Sequence, residues 1–111
     1  MNPVALVRKT SMYGEPDTVW DSLWMWCPAC DDLVNIPVNT AERNPSWEWN
    51  GDLENVTLSP SLLTSYGVIQ GKPRTCHSFV REGQWEFLSD STHHLSGQTV
   101  PMTPLPEWCL R

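Results

Sequence analysis

Residues 26–30 read Trp-Cys-Pro-Ala-Cys, and this stretch decides how the chain is expected to fold. A Cys-x-x-Cys spacing lets one turn of backbone aim two sulfur atoms at a single metal ion. Pro28 has no backbone N–H, so it ends a strand and shapes the turn. A redox-active Cys-Pro-x-Cys is the alternative, but it needs a helix after the second cysteine. Residues 31–37 look extended and end in Pro37, which favours the metal-binding turn.

Further ligands follow much later in the chain, at Cys76-His77 and His93-His94. Thiolates and imidazoles together suit zinc, and four protein ligands mark a structural rather than a catalytic ion. Neighbouring residues of a strand point to opposite faces, so His77 ligates alongside Cys76 only if a β-bulge intervenes. We therefore expect a zinc site, with His77 as the alternative fourth ligand, made of Cys27, Cys30, Cys76 and His93.

Length and composition indicate a small, mostly β domain of short antiparallel strands stapled by the zinc site. The chain has 111 residues, which we treat as a single domain, 1–111. Ten prolines break it often, and seven tryptophans supply large apolar surfaces for a modest core. The motif-bearing core is expected over about residues 20–100, followed by an irregular, proline-rich C-terminal tail.

The clearest local pattern is a hairpin, with strands over 75–81 and 84–88 joined by the turn Glu82-Gly83. A two-residue loop places Val80 opposite Trp85 and Ser78 opposite Phe87 on one face, with His77 on the other. In residues 56–63, the internal Pro60 predicts an edge or bulged strand.

Charge and hydropathy bound the location and the partners. The formal net charge of −6 disfavours binding to nucleic acid, because phosphate backbones repel an acidic domain. No stretch approaches the ~18 apolar residues of a membrane span, and the N-terminus lacks the apolar core of a signal peptide. We expect a cytoplasmic protein with reduced thiols. The acidic surface and surplus tryptophans favour a protein partner.

Catalytic groups are harder to find in the sequence. Glu48 and Asp90 could act as acid and base only if the metal held a water molecule. Ser61, in Ser59-Pro60-Ser61, has no Gly-x-Ser-x-Gly elbow around it, so a turn with hydroxyl-to-backbone bonds is the favoured interpretation. No catalytic residue is assigned.

Taken together, the ordered motifs resemble a family of small uncharacterised proteins of bacteriophages and bacteria, often mislabelled as ammonia monooxygenase. The resemblance covers about residues 24–100. It implies a phage-type protein whose cysteines and histidines bind zinc, and it favours His93 over His94 because a histidine follows Asp90 by three residues. Oxygenase chemistry has no support, since the chain shows no carboxylate–histidine set for iron or copper. The matching motifs are residues 26–30, 47–51, 59–63, 76–80, 87–90 and 93–98.

The function expected from the sequence is that of a small phage-type zinc-binding protein. It would act in the host cytoplasm through protein–protein interaction, with a host or defence component as its partner. The alternative is a small zinc-dependent hydrolase that uses a metal-bound water.

Overall fold

A computed structural model describes residues 2–12 and 14–110 of the chain, and it confirms the mostly β class. Short strands form three antiparallel sheets, of three, two and four strands. No helix in the described residues is long and apolar enough to span a membrane. The elements in these residues are β1 Ala5–Met12, β2 Glu15–Cys27, β3 Asp32–Val38, β4 Glu48–Trp49, β5 Leu58–Ser59, β6 Leu62–Ile69, β7 Lys72–Arg81, β8 Gln84–Phe87, β9 Thr99–Pro101 and a 3-10 turn at Glu107–Leu110.

The first sheet pairs β2 with β1 on one side and β3 on the other. Leu23, Met25 and Cys27 alternate along β2 and are buried, because every second side chain of a strand points into the core. The turn at Pro28 then reverses the chain, so that Cys27 lies opposite Asp32 in β3. The metal-binding turn predicted from the sequence therefore joins two strands, as expected.

The four-stranded sheet has the order β6-β7-β8-β9, which places β6 at one edge. The predicted hairpin is confirmed in its register, since Ser78 faces Phe87 and Val80 faces Trp85. The cross-strand pairs lie on a buried face, where Val80 and Trp85 are almost fully enclosed. This sheet packs its buried face against the first sheet in one core.

Two segments differ from the sequence prediction in detail. Pro60 splits the predicted strand 56–63 into β5 and the start of β6, because it cannot donate a ladder hydrogen bond. The C-terminal tail is less irregular than expected. It adds β9 to the sheet opposite β8 and closes on the N-terminus, where Leu105 N donates to Pro3 O at 2.8 Å.

Two hairpin turns of the sheet share one backbone conformation. Gln70-Gly71 joins β6 to β7, and Glu82-Gly83 joins β7 to β8, all with φ between 50° and 77°. Left-handed φ at both central residues is the type I′ turn that fits the twist of paired strands. A Cβ on Gly71 would meet nothing within 4 Å, whereas one on Gly83 would lie 3.1 Å from Glu54 O.

We predict that Gly83→Ala destabilises the protein more than Gly71→Ala. Each substitution places alanine in the left-handed region, at a cost of about 1–2 kcal/mol. The alanine at position 83 also presses on a backbone oxygen, which adds on the order of 1 kcal/mol. Urea unfolding of both variants measures the difference. Equal losses in the free energy of unfolding would contradict the close contact at Gly83.

Candidate active site and the neighbouring thiol cluster

Strand β7 sends two consecutive residues to opposite faces of the sheet. Cys76 is buried on the core side. His77 points to the other side, where its side chain keeps 24% of its exposure. The alternation expected for these two residues is thus confirmed, and no bulge brings His77 to the core side. Two distinct sites lie back to back across this strand.

On the outer face, three polar side chains form a continuous hydrogen-bonded row. His77 Nε2 lies 3.0 Å from Ser61 Oγ. On the other side of the ring, His77 Nδ1 lies 2.9 Å and 3.1 Å from the two carboxylate oxygens of Asp90. A carboxylate accepts only, so Nδ1 carries the proton and Nε2 presents its lone pair to the serine hydroxyl. Both ring nitrogens are therefore engaged, and neither faces the thiols.

The position of Ser61 follows from the register of β6 on β7. Leu63 lies opposite His77. Ser61 stands two residues before Leu63, so the period of a strand puts its side chain on the same face as His77. Trp47 fixes the backbone of the serine, since its Nε1 donates to Ser61 O at 3.2 Å. Trp47 is itself anchored between Pro37 O and Asn39 N, at the end of β3.

Asp90 is positioned by the residue that follows it. Ser91 is buried, and its Oγ accepts from His77 N and donates to His77 O, both at 2.9 Å. The hydroxyl thus completes the backbone pairing of the histidine, as a neighbouring strand would. Thr92 pairs with Thr75 in the same way, since its Oγ1 accepts a hydrogen bond from Thr75 N at 2.8 Å. These two clasps fix residues 90–92 along β7.

The geometry is that of a nucleophile, a base and an orienting carboxylate. A histidine nitrogen within hydrogen-bonding distance of a serine hydroxyl can take up its proton as the oxygen attacks a carbonyl carbon. The carboxylate holds the imidazole in the required tautomer and stabilises the imidazolium that forms. The outer face of the sheet can therefore support acyl transfer.

Sequence reasoning missed this row. It favoured a turn for Ser61 and considered Asp90 only beside a metal-bound water. The row has no local motif, because its members lie 16 and 13 residues apart and meet only through strand pairing. The usable signal was the hairpin register, which already placed His77 on the face away from Cys76. The sequence analysis did not predict that β6 pairs with β7, and this pairing is what brings Ser61 to His77.

On the inner face, Cys27, Cys30 and Cys76 converge. Their sulfur atoms all lie within 4.8 Å of one another, and among the described residues they form a group that could hold a metal ion. Cys30 N also donates to Cys27 Sγ at 3.4 Å, as the turn of a Cys-x-x-Cys pair allows. The sequence prediction that these three distant cysteines meet is confirmed.

The three thiols shift one another's pKa values. A hydrogen bond from Cys76 lowers the pKa of the Cys27 thiol to about 6. The same hydrogen bond raises the pKa of Cys76, and burial raises that of Cys30. Burial likewise raises the pKa of Tyr66, whose hydroxyl contacts Cys30. These shifts favour a single thiolate among the three sulfur atoms. A bound dication would instead favour the thiolate form of all three.

His93, the expected fourth ligand, lies beside the thiols but outside their 4.8 Å group. It lines a cavity of about 330 Å³ together with Cys30, Tyr66 and Cys76. Its ring packs on Phe87 at 4.7 Å, and Nδ1 accepts from Leu95 N at 3.2 Å. Its Nε2 is buried with no hydrogen-bond partner among the described residues. Glu48, considered as an acid–base group beside a metal-bound water, is exposed in β4.

Comparison with family models adds one finding. Residues 2–88 match the model of a bacterial ubiquitination-like system serine protease, BubE. The chain belongs to this family. The match includes Ser61 and His77 and ends two residues before Asp90. No curated protein and no solved structure matches the chain.

The family corrects the function expected from the sequence. A phage-type protein that acts by protein–protein interaction against a host or defence component is the wrong prediction, because the description of the matching family is that of a serine protease of a bacterial ubiquitination-like system. The error arose because the row on the outer face went unseen, so the interpretation rested on the zinc ligands, the acidic surface, the surplus tryptophans and the family resemblance. The alternative, a hydrolase, agrees in reaction class with the family. The resemblance to small bacterial proteins is confirmed in its bacterial part.

We predict that Ser91→Ala slows the chemistry of Ser61 while Thr92→Ala does not. Both variants lose a hydroxyl that pairs with β7 backbone and leave an N–H without its partner, at about 1–3 kcal/mol of stability. Only Ser91 clasps the residue that carries the imidazole. The rate at which a fluorophosphonate labels Ser61 should fall at least several-fold in Ser91→Ala. Equal labelling rates at equal melting temperatures would show that the clasp positions nothing.

Proposed function

We propose that this protein is a serine protease in which Ser61 is the nucleophile, His77 the general base and Asp90 the residue that orients the imidazole. The observation that carries the proposal is the unbroken row from Ser61 Oγ through both nitrogens of His77 to the Asp90 carboxylate. Membership of the BubE family supports it, because the description of that family is of a serine protease.

The reaction then runs in two halves. Ser61 Oγ attacks the carbonyl carbon of the scissile bond as its proton passes to His77 Nε2. The tetrahedral intermediate collapses when the same nitrogen gives the proton to the leaving amine, which departs and leaves an acyl group on the serine. Water attacks the ester through the same base, and the carboxylic acid product leaves with the hydroxyl of Ser61 restored. Asp90 stays ionised throughout and stabilises the imidazolium.

We propose a polypeptide as the substrate. A protease of a ubiquitination-like system acts on a polypeptide, so the protein partner expected from the sequence becomes the substrate itself. All four cysteines are free thiols, which fits a reducing cytoplasm as the place of action.

We further propose that zinc occupies the thiol cluster and has a structural role. Three thiolates suit zinc better than calcium or magnesium, and the three sulfur atoms lie within 4.8 Å of one another. His93 is the proposed fourth ligand, because its buried Nε2 has no other partner in the described part of the chain. Ligation through Nε2 moves the ring proton to Nδ1, so the contact with Leu95 N is given up. The ion cross-links β2, the turn after it and β7.

We predict that Ser61→Ala abolishes hydrolysis and covalent labelling. Loss of the nucleophile in serine proteases reduces the rate by about 10³-fold or more. Ser59→Ala is the matched control, because Ser59 is exposed and lies on the other side of Pro60. Mass spectrometry after fluorophosphonate treatment, and hydrolysis of a small ester, measure both variants. Labelling that persists in Ser61→Ala would sink the proposed function.

We predict that the purified protein contains one zinc ion per chain and that its removal lowers stability and activity together. Cys76 and His77 are consecutive, so loosening the thiol cluster displaces the imidazole. Cys30→Ser should lose the ion, whereas Cys109→Ser should keep it, since Cys109 is a buried thiol outside the cluster. Metal content by elemental analysis and thermal melting with a chelator are the measurements. Metal loss in both variants alike, or no metal in the wild type, contradicts the site.

Ligation by His93 has its own test. His93→Ala should weaken zinc binding at least tenfold in a competition titration with a chromogenic chelator. His94→Ala, next to it and exposed, should leave the affinity unchanged. Identical affinities in the two variants would remove His93 from the ligand set while leaving the three thiols in place.

A further inference from the structure

The outer row of polar side chains ends at the edge of a sheet. Asp90 follows β8, His77 lies in β7, and Ser61 enters β6, the edge strand. The row thus crosses the sheet at right angles to its strands and stops where the sheet stops. His77 occupies the inner side of Ser61. The C=O of Ser61 already accepts from Trp47 Nε1 at 3.2 Å, so the open part of the edge begins after the nucleophile.

The backbone of β6 has hydrogen-bonding groups that point outward at this position. His77 N and O are both taken on the side away from β6, by Ser91 Oγ and Leu88 N. In an antiparallel ladder, such a residue faces another whose N–H and C=O also point away from the pair. Leu63 is the residue opposite His77, so its N–H and C=O point out from the edge.

The same argument applies two residues further along. Thr75 N and O both bond to Thr92, away from β6. Ser65 lies opposite Thr75, so it too directs its N–H and C=O outward. Among the described residues, neither Leu63 nor Ser65 has a backbone partner on that side. Four backbone groups, two donors and two acceptors, are therefore available next to the nucleophile.

This edge also lacks three of the features by which proteins protect exposed strands, and its register shift lies after Ser65, between Ser65 and Val68. Charged residues, prolines and short length normally prevent edge strands from pairing with other chains. The other outer strands of the two larger sheets carry such features: Arg8 and Lys9 in β1, Pro37 in β3, and three-residue length in β9. Residues 61–69, in contrast, contain no charged residue and no proline. Leu63 and Val68 are 64% and 70% exposed there.

We propose that the outer edge of β6 is the substrate-docking strand, and that an extended segment of the substrate polypeptide pairs with Leu63 and Ser65 as a fifth strand of the sheet. This inference rests on the proposed function, because the occupant is the chain that Ser61 cleaves. Main-chain hydrogen bonds give such an added strand its affinity, and alternate side chains give it specificity. Leu63 shares the face of His77, so it contacts the substrate side chain beside the scissile bond.

Ser65→Pro tests the proposal, with Ser65→Ala as its matched control. Proline removes the outward N–H, and edge strands tolerate proline where the N–H faces solvent. Two probes are compared: 4-nitrophenyl acetate, which needs no strand pairing, and an equimolar mixture of unstructured ten-residue peptides read by mass spectrometry. We expect the ratio of peptide to ester hydrolysis to fall about five- to tenfold in Ser65→Pro, and to stay within about twofold in Ser65→Ala.

The outcomes separate this inference from the proposed function. Equal ratios in both variants overturn the docking strand and leave the serine protease intact. Ester hydrolysis by the wild type without peptide cleavage also overturns it. A wild type that attacks neither probe refutes the proposed function, and the docking strand with it. A dimer that dissociates only in Ser65→Pro, seen by sedimentation, assigns the edge to a second copy of the chain and overturns the proposal.

A second measurement covers the case in which Ser65→Pro does not fold. In the Ser61→Ala variant, amide hydrogen exchange is followed with and without the same peptide mixture. The amides of Leu63 and Ser65 should exchange quickly alone and slow down with peptide. Thr64 is the internal control, because it pairs with Cys76 and its amide points to β7. Unchanged exchange at Leu63 and Ser65 overturns the proposal.

Discussion

The structure depends on one strand, β7, and on the alternation of two neighbouring residues within it. Cys76 points into the core, where it meets the two cysteines of the turn after β2. His77 points outward, where it meets a serine and a carboxylate. A strand cannot move one of these side chains without moving the other, because they share a peptide bond. The thiol cluster and the candidate active site are therefore one mechanical unit.

The register of β6 on β7 is the second constraint. Side chains alternate with a period of two residues, so a slip of one residue would carry Ser61 to the core face and leave His77 without its partner. The buried face specifies the register, since Leu62 opposite Ser78 contributes to the core while Leu63 opposite His77 does not. Hydrophobic packing on one side of the sheet thus sets the distance between nucleophile and base on the other.

The sequence predicted what is encoded locally. The Cys-x-x-Cys turn, the alternation of Leu23, Met25 and Cys27, and the hairpin around Gly83 each depend on residues close in the chain, and each is confirmed. The convergence of Cys76 on the turn was predicted from ligand chemistry. Ligands of one metal ion must lie close together, whatever the strand arrangement that brings them there.

The row of Ser61, His77 and Asp90 was out of reach for a physical reason. None of its members carries a local pattern. Their meeting depends on which strand pairs with the outer side of β7, and that is a long-range choice that Pro60 obscured by dividing the preceding strand. The protease description of the family was not predicted either, because it concerns a serine, whereas the sequence motifs were interpreted through their cysteines.

An uncharged, apolar edge strand carries a cost that a small protein would normally avoid. Exposed ladder groups invite pairing with other copies of the same chain, and mutation readily introduces a lysine or a proline that prevents it. The outer strands of the three-stranded sheet, β1 and β3, do carry charged residues or proline, so this protein protects other edges in that way. Their absence from residues 61–69, beside Ser61 and opposite His77, is best explained by a use that charge or proline would block. Pairing with a substrate strand is such a use, since it needs the same free N–H and C=O groups that make the edge hazardous.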